Sequence, residues 1–379
     1  MKAAEASHIA RRPVGLYVHL PFCASRCSYC DFVSTTDRGL WPEVLLGIIR
    51  EITLLKVRHP RPLATLYLGG GTPSLMGPDQ LEALLGTVRS SFALLRGAEV
   101  TLEANPEDVS ERMLAAWLRL GVTRLSLGIQ SFEDRVLTTI GRRHTAEQAR
   151  DACRAALDAG FNVSADLILG LPGLGVEAVS RGVEELLRLR PHHVSIYLLE
   201  LDKATAMSVL AARQPGQFPP QAVAARQYLE TCGSLVAAGY SHYEISNLAL
   251  PGFASRHNRR YWTGRTVLAA GPGAHGQAGC RRWANLSELD AYVAAVGESG
   301  RARAWSRHLD AEEATREAIM LSFRLARGVE EAVLAQVRSS AFHARLSDFL
   351  ALGLARRVAG RVRLTPRGWL VSNELLAEL

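Results

Sequence analysis

The chain has 379 residues, of which 48% are hydrophobic and 21% charged, ordinary proportions for a globular protein that exclude disorder, collagen and coiled coil. Its formal charge is +7, and its arginines are interleaved with acidic residues instead of running together, so we expect no nucleic-acid partner. No apolar stretch reaches the roughly 18 residues of a membrane span, and the N-terminus lacks a signal-peptide core, so we expect a cytoplasmic protein.

Short β-rich segments alternate with longer amphipathic segments from residue 15 to about residue 250. Between the β-rich segments, apolar residues recur at helical spacing. Thr145, followed three residues later by Gln148, is typical of a capping box at a helix N-terminus. The β-rich segments predict six strands, at residues 15–21, 65–71, 100–106, 124–130, 162–172 and 193–200.

Six βα units with apolar strands predict an α/β fold in which helices cover a parallel sheet. Right-handed crossovers favour a partial (β/α)6 barrel of the TIM type, and a doubly wound open sheet is the alternative. We expect an N-terminal tail at 1–14, the barrel at 15–250 and a connecting segment at 251–300. Residues 301–379 contain helical runs, a short hairpin and a final helix, a pattern typical of a winged helix. This pattern predicts a small α+β domain.

Polar and glycine residues gather at the predicted carboxyl ends of the strands, where βα folds place their chemistry. A cysteine cluster follows the first strand, and the glycine-rich turn 69–73 ends the second. Glu103 lies late in the third strand, Gln130 ends the fourth, and Asp166 lies in the fifth. The sequence therefore predicts one binding site at this rim.

Cys23, Cys27 and Cys30 fall within eight residues, in a Cys-x3-Cys-x2-Cys spacing. Three thiolates suit a [4Fe–4S] cluster that leaves one iron without a protein ligand. A zinc ion with His19 as its fourth ligand is the alternative, although structural zinc usually takes its ligands from two separated pairs. The spacing favours the iron–sulfur cluster.

Several motifs together resemble the radical S-adenosylmethionine (SAM) superfamily and, more closely, the oxygen-independent coproporphyrinogen III oxidases and their relatives. They are YxHxPFC before the cysteine spacing, then GGGTPS, EANPE, LGIQSF, DLILGLPG and the C-terminal RLTPRGWLVSNELL, so the resemblance covers nearly the whole chain. It implies that the three cysteines ligate the cluster, that SAM binds the fourth iron, and that the backbone near Glu200 meets adenine. It also implies SAM contacts from Tyr17, Gly70, Gly71, Thr72, Glu103, Gln130, Arg142 and Asp166.

Two departures distinguish the chain from the oxidases within this resemblance. Phe32 stands where the oxidase pattern has a fourth cysteine, and only 16 residues precede Tyr17, fewer than in the oxidases. Both point to the sister group, the heme chaperones of the HemW type, which bind heme and deliver it.

Residues 243–262 carry a positive marker for those chaperones, the HNxxYW signature. An imidazole such as His257 is a common axial ligand of heme iron. Arg259 and Arg260 could pair with the heme propionates, and His275 is a minor alternative ligand. The signature implies that the heme-binding residues are His257, Asn258, Tyr261 and Trp262.

We therefore expect a heme chaperone with a [4Fe–4S] cluster, SAM and heme as its ligands. The alternative is an enzyme that cleaves SAM and oxidatively decarboxylates coproporphyrinogen III, and a DNA-binding regulator is a distant third. The expected partners are heme-accepting proteins, respiratory ones among them, with peripheral contact at the membrane surface. The oligomeric state stays open.

Overall fold

A large sheet forms the centre of the protein, which the computed structural model describes over residues 12–379, so that most of the predicted 1–14 tail lies outside the described residues. Six neighbouring strands run parallel in chain order, which confirms the predicted (β/α)6 arrangement. These strands are β1 (Val14–Leu20), β2 (Leu63–Gly70), β3 (Leu94–Ala104), β4 (Arg124–Gln130), β5 (Asn162–Leu169) and β6 (His193–Leu198).

Helices connect the parallel strands and cover their outer, apolar faces. The predicted capping box is confirmed: the Gln148 N–H donates to the Thr145 hydroxyl at 3.2 Å, and the Thr145 N–H donates to the Gln148 side chain at 2.9 Å. The helices are α1 (Trp41–Arg58), α2 (Pro78–Ser91), α3 (Glu111–Arg119), α4 (Asp134–Thr139), α5 (Ala146–Asp158), α6 (Val176–Leu189), α7 (Ala206–Arg213) and α8 (Gln221–Ala237). Short 3-10 turns lie at Arg38–Leu40, Pro73–Leu75, Pro106–Asp108 and Pro215–Gln217.

The sheet extends beyond the six parallel strands at both edges. Next to β6 lies β8 (Asn247–Ala249), and then β7 (Ser241–Glu244), both antiparallel additions. Next to β1 lies β9 (Val267–Ala270), which is parallel to β1. The remaining strands of that edge are antiparallel: β10 (His275–Ala278), β11 (Arg281–Asn285) and β12 (Arg303–His308).

This second edge is where the sequence predicted only a connecting segment. The strands are short, and stretches such as Arg281–Asn285 contain too few apolar residues to signal a strand. The helices of this region are α9 (Asn258–Trp262) and α10 (Leu289–Ser299). Because Arg303–His308 pairs with the large sheet, the first strand after residue 301 lies with the barrel rather than with the small domain.

The C-terminal part forms a small α+β unit with its own apolar core, including Phe323, Phe342 and Trp369. Its three-stranded sheet has the order β13-β15-β14, and the predicted hairpin is the antiparallel pair β14–β15. This confirms the winged-helix-like arrangement. The elements are α11 (Ala311–Phe323), β13 (Val329–Glu330), α12 (Glu331–Leu334), α13 (Ser340–Ala351), β14 (Ala355–Val358), β15 (Arg361–Leu364), α14 (Pro366–Leu370) and α15 (Ser372–Leu376).

The inner side of the parallel strands is polar, whereas the interior of a (β/α) barrel is usually filled by branched apolar residues. Alternate strand residues supply the outer apolar face, such as Val163, Ala165 and Leu167 of β5. The polar residues at the other positions include Tyr17, His19, Thr65, Tyr67, Glu99, Glu103, Arg124, Ser126, Ser164, Asp166, His193 and Ser195. Within residues 12–379, no helix is long and apolar enough to cross a membrane.

A buried carboxylate on α1 ties the β9–β11 edge to the barrel. Glu51 accepts hydrogen bonds from the Gly271 N–H at 2.9 Å, the Asn285 amide at 2.9 Å and the Tyr292 hydroxyl at 2.7 Å. Gly271 has a φ of +100°, and a Cβ there would lie 2.2 Å from the His19 carbonyl oxygen, so only glycine fits.

We expect Tyr292→Phe to lower the free energy of unfolding by about 2 kcal/mol, because a hydrogen bond to a buried carboxylate is lost. Urea unfolding monitored by circular dichroism measures the change. Tyr261→Phe is the matched control, since its hydroxyl makes only a long contact of 3.4 Å with the His275 carbonyl oxygen. Equal losses in the two variants would contradict a special role for the Glu51 network.

Candidate functional site

A cavity of about 390 Å³ opens at the carboxyl ends of the parallel strands. It brings together Glu200, after β6, and ten other predicted cluster and SAM contacts from the loops or strand ends of β1 to β5. The ten are Cys23, Cys27, Cys30, Gly70, Gly71, Thr72, Glu103, Gln130, Arg142 and Asp166.

The cysteine loop is held against the barrel by its backbone and by polar contacts to two sulfurs. The Cys23 N–H donates to the Thr35 carbonyl at 2.9 Å, and the Thr72 hydroxyl lies 3.6 Å from the Cys23 sulfur. The Arg142 guanidinium lies 3.7 Å from the Cys27 sulfur. The three thiols are not joined in disulfides, and burial raises the pKa values of Cys23 and Cys30. Three free thiols beside a cation are a donor set that suits an iron–sulfur cluster.

His19 is not free to complete a zinc site. Its Nε2 lies 2.7 Å from the Val33 carbonyl oxygen, and its Nδ1 lies 3.0 Å from the Tyr17 hydroxyl. Both nitrogens are therefore engaged, which contradicts the zinc alternative. In the part of the chain that the structure describes, there is no group of three His, Cys, Asp or Glu side chains arranged to bind a single metal ion.

The glycine-rich turn after β2 is required by close packing. A Cβ at Gly70 would lie 2.7 Å from the His19 ring, and one at Gly71 would lie 2.7 Å from the Phe22 carbonyl oxygen. The φ of Gly70 is +116°, a conformation that other residues rarely adopt. Its N–H donates to Glu103 Oε2 at 3.0 Å, so the turn and the carboxylate support each other.

Two half-buried carboxyl groups line the deep wall of the cavity. Glu103 accepts a hydrogen bond from the Tyr67 hydroxyl at 2.8 Å, and burial raises the pKa of Glu103 to about 7. Asp166 accepts hydrogen bonds from Ser126 at 2.9 Å and Ser164 at 3.1 Å, and burial raises its pKa. The wall can therefore bind both an ammonium group and ligand hydroxyls.

The opposite wall combines a strained backbone with a fixed cation. Gln130 has a φ of +65°, unusual for a non-glycine residue and a form of strain that clusters at binding sites. Arg142 donates to Asn105 Oδ1 at 2.6 Å and to the Gly128 carbonyl at 2.7 Å, while its buried Nε has no partner among the described residues. Asn105 lies within the EANPE motif, but nothing in the sequence indicated that it would hold Arg142.

Tyr17 is the one predicted SAM contact that does not line the cavity. It lies deeper in the barrel, where its ring centroid is 6.4 Å from that of His257. The structure therefore places Tyr17 between the cavity and the base of the barrel, which is closed by residues of the HNxxYW segment.

His257 is an interior residue, with 1% of its surface exposed. Its Nδ1 lies 2.9 Å from the Thr65 hydroxyl, and its backbone N–H donates to Glu99 Oε1 at 2.8 Å. Burial lowers the pKa of His257 to about 3, so the imidazole is neutral at pH 7. Its buried Nε2 has no hydrogen-bond partner within residues 12–379, and the Tyr67 ring lies 5.1 Å away between centroids.

The rest of the HNxxYW segment packs between the barrel and the C-terminal unit. Asn258 and Trp262 are half-buried at the two ends of α9. The Arg324 guanidinium lies 4.7 Å from the centroid of the Trp262 ring, and the Tyr261 ring lies 5.7 Å from that of His257. The segment is thus part of the packed interior.

The structure does not place Arg260 where it could pair with a heme propionate, as the sequence suggested. Arg260 is buried, and its guanidinium donates to the Pro13 carbonyl at 2.5 Å and to the Thr266 carbonyl at 3.2 Å. Arg259 and His275 are exposed and do not line the cavity. The sequence identified the segment, but it could not show that its side chains point inward.

Comparisons with known proteins agree with this geometry. The radical SAM superfamily model matches residues 17–186, and the HemN C-terminal domain model matches residues 309–371. The fold is similar to that of the solved coproporphyrinogen III oxidase HemN from Escherichia coli, described as a radical SAM enzyme, with a TM-score of 0.84 and 22% identity over 99% of this chain and 92% of that chain.

Curated relatives match over nearly the full length. The chain is 37% identical to the heme chaperone HemW of Mycobacterium tuberculosis (strain H37Rv), over 97% of this chain and 95% of the relative. It is 32% identical to the heme chaperone HemW of Bacillus subtilis, over 95% of this chain and 97% of that relative. The chain therefore belongs to the HemW family of the radical SAM superfamily.

Proposed function

We propose that this chain is a heme chaperone, which binds heme and passes it to acceptor proteins. The near full-length similarity to proteins named heme chaperone HemW carries the proposal. Phe32 supports it, because this side chain cannot ligate iron and is 58% exposed beside the cysteine loop. The proposal includes respiratory proteins among the heme acceptors. It also includes peripheral contact of the chain with a membrane.

Membership of the radical SAM superfamily implies a [4Fe–4S] cluster and SAM. When bound, the cluster would supply an iron without a protein ligand, which the amino and carboxylate groups of SAM would chelate. We propose that Cys23, Cys27 and Cys30 ligate it. Glu103 would accept a hydrogen bond from the SAM amino group, and the Arg142 guanidinium beside the Cys27 sulfur would bind the SAM carboxylate.

The remaining SAM contacts follow the layout of the cavity. Asp166 already accepts the Ser126 and Ser164 hydroxyls, has Ser195 beside it, and keeps lone pairs for the ribose hydroxyls. We propose that the backbone of Gly70 to Thr72 and the strained Gln130 complete the contacts around the methionine part of SAM. Tyr17 would act indirectly on the SAM site. Its hydroxyl hydrogen-bonds to the His19 ring, and the Gly70 turn packs against that ring.

For heme, we propose the HNxxYW residues as the ligand-bearing segment. His257 is neutral and its Nε2 is unpartnered, which is the state in which imidazole binds iron. Because the ring is buried, heme ligation by His257 requires the segment around α9 to open at the barrel base. Asn258, Tyr261 and Trp262 would then become accessible to the porphyrin.

Heme titration of the anaerobically reconstituted protein tests the function. We expect a saturable shift of the heme absorption spectrum, with affinity about tenfold lower in His257→Ala because an axial ligand is lost. The exposed His343→Ala, on α13 of the C-terminal unit, is the matched control and keeps the wild-type affinity. Melting temperatures check that both variants fold. The absence of saturable binding together with anaerobic conversion of coproporphyrinogen III would instead establish the oxidase.

Cluster ligation predicts that Cys27→Ser loses most of the bound iron and the visible absorption of the reconstituted cluster. Cys280→Ser is the control, since Cys280 lies outside the cavity. Iron and sulfide analysis measure the effect after anaerobic reconstitution. Equal iron content in the two variants would exclude Cys27 as a ligand.

The pKa of Glu103, raised to about 7, predicts pH-dependent SAM binding. The Glu103 carboxylate that accepts from the SAM amino group is present above this pKa and is lost as the pH falls through it, so SAM affinity drops between pH 8 and pH 6. Glu103→Gln should bind SAM about tenfold more weakly at pH 8 and lose this pH dependence. Equilibrium dialysis with labelled SAM measures both. A variant that keeps the wild-type pH profile would show that another group titrates.

A further inference from the structure

A chain of hydrogen bonds crosses the barrel interior and ends on Asp166. The Tyr243 hydroxyl lies 2.8 Å from His193 Nε2, and His193 Nδ1 lies 2.7 Å from the Ser164 hydroxyl. Ser164 in turn donates to Asp166 Oδ1 at 3.1 Å. His193 is 1% exposed and Ser164 is 0% exposed, so water does not compete for these bonds.

With Asp166 ionised, the donors and acceptors of this hydrogen-bond chain have one consistent order. The single hydroxyl proton of Ser164 goes to the Asp166 carboxylate, so the Ser164 oxygen must accept from His193 Nδ1–H. His193 Nε2 must then accept the Tyr243 proton. The Tyr243 oxygen itself accepts the Ser255 N–H at 3.2 Å. Burial lowers the pKa of His193 well below its usual value, in agreement with a neutral ring.

This order connects two parts of the molecule that are distant in sequence. Ser255 belongs to the turn that precedes α9, and its side chain accepts the Asn258 N–H at 3.2 Å. Asp166 lies at the cavity, with its second oxygen bonded to Ser126. His193 does not line the cavity, so any influence on a ligand must pass through Ser164 and Asp166.

We propose that His193 is a positioning residue for Asp166, which it holds through Ser164 in the orientation that receives the ribose hydroxyls of SAM. Through the same hydrogen-bond chain, a shift of the turn at Ser255 changes the orientation of Asp166 in the SAM cavity. The inference deepens the proposed function and depends on SAM binding in this cavity.

Three variants separate positioning from general stability. His193→Leu removes both ring nitrogens, whereas the amide nitrogen of His193→Asn can replace the Nδ1–H donor. His192→Leu is the matched control, because His192 packs on Phe253 with 4.3 Å between ring centroids and its Nδ1 accepts the Val163 N–H at 3.3 Å, outside the hydrogen-bond chain of His193. Each is reconstituted anaerobically, checked for iron content and melting temperature, and titrated with SAM by equilibrium dialysis.

We expect SAM binding to be about tenfold weaker in His193→Leu, in line with other residues that orient a ligand-binding group, and within about threefold of wild type in His193→Asn. His192→Leu should bind as wild type. Equal affinity in His193→Leu and wild type would overturn the positioning role alone. Failure of the wild type to bind SAM would instead overturn the SAM site and the inference with it.

Two further measurements test the order of the chain. In ¹⁵N NMR of the imidazole nitrogens, His193 should be a neutral ring protonated at Nδ1, and protonation at Nε2 would contradict the order. Tyr243→Phe removes the proton donated to Nε2 at the end remote from the cavity, so it should weaken SAM binding about threefold. Wild-type affinity in Tyr243→Phe would show that the turn at Ser255 is not coupled to the cavity.

Discussion

The organisation of this protein depends on one constraint: a polar group that is removed from water must find a hydrogen-bond partner inside the fold. The parallel strands carry apolar residues outward and polar residues inward, so the barrel interior is lined with groups that need partners. Tyr67 and the Gly70 N–H bond to Glu103, and Ser126 and Ser164 bond to Asp166. The binding groups at the cavity are therefore fixed by residues beneath them.

The same constraint relates the two ends of the barrel. His257 at the base contacts Thr65 and Glu99, while Tyr243 at the base reaches Asp166 through His193 and Ser164. The HNxxYW segment at one end and the cavity at the other thus share an interior of hydrogen bonds. In such an interior, a change at one residue requires its neighbours to exchange partners.

The sequence predicted the six parallel strands and the residues that gather in the cavity, because βα alternation and the motif spacing are local signals. It missed β9 to β12, because β9 and β10 are only four residues long and β11 and β12 contain arginines among few apolar residues. It also did not indicate that the side chains of His257 and Arg260 point into the protein interior. Partners such as Ser164 and His193 lie 29 positions apart, and no local pattern indicates which polar residues of different strands will meet.

The two edges of the six-stranded parallel block are joined by a single stretch of chain. β8 flanks β6 and ends at Ala249, whereas β9 flanks β1 and begins at Val267, which leaves residues 250–266 to span the open side. This stretch includes α9 and the buried His257. This stretch therefore links the two edges of the barrel. If the edges moved apart, the stretch would have to extend, and the extension would pull His257 out of the barrel interior.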